Sequence, residues 1–165
     1  MKVAIEIDGI TTTIHALEKV HRGAVDFREL GTWNWVQSEY YKALKEILDS
    51  EGSAGKSGRY KELTPEYARR KLKQYGEKPI LQASGGMYVS LTQEGGNAVV
   101  EKKAQEMTLG SKDPKSRWHH TGSGNNPRRA IMDFTNEHEK QIFAPVVKKM
   151  RQLVDNAKLR DIRGF

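Results

Sequence analysis

An α+β architecture is expected from this chain: a small, mostly antiparallel β-sheet packed against several helices, with a long C-terminal helix and extended loops. Three observations lead there. Residues 2–8 and 87–92 alternate apolar and polar side chains, the period of a half-buried strand. Residues 33–49 and 136–157 repeat apolar side chains at steps of three and four, the period of a helix. Glycine- and proline-rich stretches near 50–61 and 112–127 interrupt these runs.

In order along the chain, Val3, Ile5 and Ile7 face one way and Ala4, Glu6 and Asp8 the other, a strand that Gly9 ends. A helix is expected from Thr12 to His21, with Ile14, Leu17 and Val20 on one face. Trp33, Val36, Tyr40, Leu44 and Ile47 then draw a single stripe, and such a stripe belongs to a core. The stretch 50–61 reads as a mobile loop. A short helix follows, with Thr64 as its cap, Pro65 in its first turn, Glu66 near its positive end and Gly76 at its close. Met87, Val89 and Leu91 alternate with Tyr88, Ser90 and Thr92, which predicts a strand, and Gly95-Gly96 marks a turn. Ala98–Lys102 and Glu106–Ser111 are further strands, the second with Met107 and Leu109 inward. Residues 112–127 read as a long exposed loop, a kind that is usually either functional or disordered. The last helix is expected from Asn136 to Ala157, capped by Thr135. Its stripe is Ile142, Phe143, Val146, Val147, Met150, Leu153 and Val154. Pro145 either kinks that helix or begins it. Residues 158–165 look like a loose basic tail, and nothing marks a second domain within 1–165.

Hydrophobic residues make up 36% of the 165, and mean hydropathy is −0.74. Such a chain builds a modest core and leaves much polar surface. Without cysteine, disulfide and thiolate chemistry are excluded. No apolar run is long enough to cross a membrane, and acidic residues break the N-terminus at once, unlike a secretory signal. Twenty-eight Lys and Arg against 21 Asp and Glu give a net charge of +7, which favours an anionic partner.

Catalytic and cofactor motifs fail on inspection. Gly52-Ser-Ala-Gly55-Lys56-Ser57 resembles a phosphate loop, but Ser50 stands where its first glycine belongs, and a helix rather than a strand precedes it. Gly122 and Gly124 lead to Pro127 where a dinucleotide fingerprint needs glycine. His15, His21, His119, His120 and His138 include no paired metal-ligand spacing. No serine sits in a nucleophile elbow. The expectation is a chain with no catalytic residue, no cofactor and no metal.

Four segments carry a resemblance by their serial order. The first is Leu48-Asp-Ser-Glu-Gly52, leading through the glycine stretch to Tyr60-Lys-Glu-Leu63-Thr-Pro-Glu-Tyr67-Ala-Arg-Arg-Lys71. The second is Ile80-Leu81-Gln-Ala-Ser84-Gly85-Gly-Met87-Tyr-Val-Ser90-Leu91. The third is Met107-Thr-Leu109-Gly110-Ser111. The fourth is Trp118-His119-His120-Thr121-Gly122, running on to Pro127-Arg128-Arg129-Ala-Ile131-Met132-Asp133. This order resembles the phage virion morphogenesis family, the tail completion proteins of tailed phages. It differs in having Tyr60 where tryptophan is usual, and Pro127-Arg128-Arg129 where Arg-Pro is common. The resemblance implies a non-enzymatic protein of the virion, in its tail or neck region and assembled in the host cytoplasm. It would complete the head-proximal end of the tail or join tail to head. It would act as a homo-oligomeric ring touching other neck, tail-tube or head-closure proteins. The alternative is a basic nucleic-acid-binding module, which the charge supports and no recognised binding motif does.

The residues themselves suggest where partners dock. Trp118 is an aromatic of the kind that anchors interfaces, and His119 and His120 share its stretch. Arg128 and Arg129 lie between that stretch and the last helix. Ile131 should point inward and leave both arginines facing out to pair with an acidic partner. Gly85 is expected to take a positive φ, and Gly110 to permit close backbone approach at a strand end.

Overall fold

The computed structural model describes residues 26–28, 30–123 and 126–163. The strand expected at 2–8, the helix expected at 12–21, His15 and His21 lie outside the described residues. Within them the chain forms five helices and one two-stranded sheet: α1 (Thr32–Asp49), α2 (Pro65–Tyr75), α3 (Gly86–Thr92), β1 (Ala98–Lys102), β2 (Met107–Ser111), α4 (Pro114–Thr121) and α5 (Asn136–Arg163). The fold is α+β, with its strands antiparallel.

Helix α1 is the centre. The whole expected stripe is buried, with Leu44 and Ile47 fully enclosed. One flank of α1 packs on α5 through Ile142, Val146 and Met150, which recur every fourth residue and so share one face. Another flank packs on α3, and α3 in turn lies on the β1–β2 hairpin. Register runs from Ala98 opposite Ser111 to Lys102 opposite Met107, with Met107 and Leu109 turned to the core. The hairpin's tip is fixed to the start of α1, because the Trp33 indole Nε1 donates to the Lys103 carbonyl at 2.7 Å and Phe27 N to the Ala104 carbonyl at 2.8 Å.

Residues 86–92 are a helix, not the expected strand. A strand would turn Met87, Val89 and Leu91 to one side; here Met87 and Leu91, one turn apart, are buried and Val89 is 39% exposed. Gly85 supplies the positive φ of 79° that starts the turn. The Ser90 hydroxyl returns to the Met87 carbonyl at 2.8 Å and Thr92 to that of Tyr88 at 2.9 Å, bonds that only a helical turn brings within reach. Gly95-Gly96 turns the chain as expected, though from helix to strand. Gly110 meets nothing close where a Cβ would stand, so its expected role in backbone approach is not realised.

Helix α5 begins at Asn136, where His138 N donates to the Thr135 hydroxyl at 3.2 Å, and runs through Pro145 past Ala157 to Arg163. Pro145 therefore lies within the helix rather than starting it, and the Gln141 carbonyl lacks the usual donor four residues on.

Candidate functional site

The first, second and fourth segments meet around a run of turns that follows α1. Glu51 has a positive φ of 52°, held because its carbonyl accepts Tyr60 N at 2.7 Å and its carboxylate accepts Ile80 N at 2.8 Å. Gly52, at φ 88°, lies so close under the Tyr60 ring that a Cβ there would stand 2.6 Å from it. Gly55 fits equally closely against Asp133. The Asp133 carboxylate then accepts both Ser57 N and, at 2.9 Å, the Ser57 hydroxyl, while its carbonyl accepts Lys56 N at 3.0 Å. The stretch read as a mobile loop is thus fastened at both ends, and Ser57 of the apparent phosphate loop is committed to Asp133.

Arg129 completes the junction. It is only 4% exposed; its Nε and Nη2 donate to the Lys61 carbonyl at 3.0 and 2.8 Å, and Nη2 reaches the Glu62 carbonyl at 3.4 Å. This corrects the expectation that both arginines face out: Arg128 does, Arg129 does not. The reason was available in the sequence. In a non-helical segment residues two apart share a side, so an inward Ile131 brings Arg129 inward with it. Burial lowers the Arg129 pKa, opposed by the phenols of Tyr67 and Tyr60. The Tyr60 pKa is raised, first by burial and then by the Asp133 charge. Its hydroxyl is buried with no hydrogen-bond partner among the described residues.

From this base the chain makes an excursion, and the expected long loop contains a helix. Asp113 caps α4, its carboxylate accepting Lys115 N at 3.0 Å, and Pro114 occupies the first turn. Gly122 closes α4 at φ 75° and abuts Arg128, whose backbone nitrogen a Cβ there would meet at 3.0 Å. The return segment is stitched to the helix: Arg129 N donates to the His119 carbonyl at 2.7 Å, and Ile131 N to His120 Nδ1 at 3.3 Å. His120 therefore carries its proton on Nε2. The His119 pKa is lowered by burial, then by Arg129, with Asp113 opposing and Lys115 adding to it.

Of the five residues expected to meet a partner, three serve the base of the excursion: His119, His120 and Arg129. Trp118, 47% exposed, and Arg128 remain on its surface. Sequence reasoning missed Asp113, whose position one residue before a proline is a cap signal, and the Ser57–Asp133 clasp, which no local pattern announces. Among the described residues no group of His, Asp or Glu is arranged to hold a metal ion, and no helix is long and apolar enough to cross a membrane. Set against models of known families, curated proteins and solved structures, the chain matches none.

Proposed function

We propose that this chain is a non-enzymatic structural protein of a tailed-phage particle. It completes the head-proximal end of the tail or joins tail to head, as a ring of identical subunits. One observation carries this reading: the four sequence segments behind the resemblance bond to one another. The first meets the second through Glu51 and Ile80, the first meets the fourth through Arg129 and Lys61, and the second meets the third through the Ser90 and Ser111 hydroxyls, 2.7 Å apart. Segments recognised by order alone are therefore one mutually dependent framework, as expected of a family signature that encodes an architecture rather than a catalytic site.

What the framework presents also supports a binding role. Trp118 stands outward on α4 and Arg128 on the return segment bonded to it, an arrangement that lowers the entropy cost of docking. The test is deletion of the gene from its phage, with complementation by the intact chain. The expected result is filled heads and finished tails as separate particles by electron microscopy. Normal joined particles without the chain would overturn the proposal.

A further inference from the structure

We infer that α4 is a docking helix for an acidic protein surface, with Trp118 as its anchor and Lys115, Arg117 and Arg128 as its charged rim. The inference rests on the reading above only in placing that partner in the particle.

The helix is two-sided. His119, Ser116, His120 and Asp113 follow one another around its inner face and are buried or half-buried against the base. Arg117, Trp118 and Lys115 occupy the outer face, and all three are exposed. Lys115 lies one turn before Trp118. Gly122, with Arg128 against it, lies one turn after. Cations thus bracket the tryptophan along the helix, and exposed Lys112 extends the charge beyond the cap.

The charge is of one sign. Between Lys112 and Met132 the sole acidic residue is Asp113, which is 8% exposed and engaged in capping. None of Lys112, Lys115, Arg117 and Arg128 forms an ion pair among the described residues. By contrast, exposed Lys42 on α1 and half-buried Lys102 on β1 have glutamates within 4.0 Å.

Two features favour a protein partner over nucleic acid. A phosphate is best received at a helix N-terminus, but in α4 the Asp113 carboxylate fills that position and repels another anion. An exposed tryptophan ringed by cations also matches the aromatic centre and polar rim of a protein interface, whereas a duplex backbone offers an indole little to pack against.

The experiment measures binding of the purified full chain to a fluorescently labelled poly-L-glutamate peptide, and to a DNA duplex of equal total charge, across a salt series. The variants are Lys115→Glu/Arg117→Glu/Arg128→Glu, Trp118→Ala, and the charge-conserving Lys115→Arg/Arg117→Lys. All the altered side chains are exposed, so the melting curves should match the parent. Should the triple variant melt early, single Lys115→Glu replaces it. The expected result is tighter binding of the peptide than of the duplex, weakened about tenfold or more by charge reversal. Trp118→Ala should weaken it roughly fivefold, and the charge-conserving swap should leave it unchanged. Peptide binding untouched by charge reversal overturns the inference, as does a preference for the duplex through the same residues. Salt-sensitive self-association by sedimentation velocity, lost in the triple variant, would make a second copy the occupant and overturn it too. A chain that shows the expected binding yet is absent from particles would sink the phage reading and leave this inference standing.

Discussion

Arg128 and Arg129 are chemically identical neighbours with different surroundings, and substitution separates them. Arg129→Ala leaves the Lys61 carbonyl without its two donors and should cost about 3 kcal/mol in chemical denaturation. Arg128→Ala should stay within about 0.5 kcal/mol of the parent. Arg129→Lys should recover only part of the loss, because an ammonium cannot reproduce the planar fork. His119 adds a pH dependence of defined sign. Its folded pKa lies below its unfolded value of about 6.5, so at acidic pH the unfolded chain binds more protons there. Its contribution is therefore complete above that unfolded value and is lost as pH falls from there through the folded pKa. Denaturation at neutral pH and near pH 5 should show a smaller acid-induced loss in His119→Gln than in the parent, and an equal loss would exclude this group as the cause.

At the scale of elements, α3 shows what periodicity leaves undecided. Six residues that alternate can also place every fourth side chain inward, and the choice falls to what lies beneath. Here the hairpin and α1 receive Met87 and Leu91, so tertiary burial overrides the strand pattern. Met87→Ala and Leu91→Ala should each cost about 2–4 kcal/mol, and exposed Val89→Ala less than about 1 kcal/mol. A strand would penalise all three. The rest of the fold was legible to different depths. The stripes of α1 and α5 extend over several turns, too long to be read as anything but helix. That of α1 is buried as expected, while that of α5 is buried at Ile142, Val146 and Met150 and half-buried at Phe143, Val147 and Leu153, with the side chain of Val154 outside the described residues. The caps at Thr64 and Thr135 were legible because capping is local chemistry. For the candidate site, exposed Trp118 and inward Ile131 were legible. The inward turn of Arg129 followed from Ile131 two positions on, whereas that of His119 and His120 was not legible, because it depends on α4 folding back on its own return segment. The polar residues of 112–127 concealed α4, since eight residues with no buried apolar stripe carry no periodic signal.

Across the whole molecule, order is graded. Hydrogen exchange should be slowest at the middle of α1, around Leu44 and Ile47, and fastest in α2 and α4, which bury little apolar side chain. A faster-exchanging α1 than α4 would contradict the assignment of the core. The polar ties described above also have a consequence for how the chain reaches this state. Ser57 and Asp133 are 76 positions apart, Arg129 and Lys61 68, and Trp33 and Lys103 70. Each closes a long loop, an entropic cost incurred before the bond can form. Helices and the short hairpin can assemble from nearby residues, so these clasps should close late, after the rate-limiting barrier. Arg129→Ala should then leave the refolding rate almost unchanged and accelerate unfolding, with a ratio of kinetic to equilibrium effect near about 0–0.3. In that picture the clasps govern how long the assembled state survives more than how quickly it is reached.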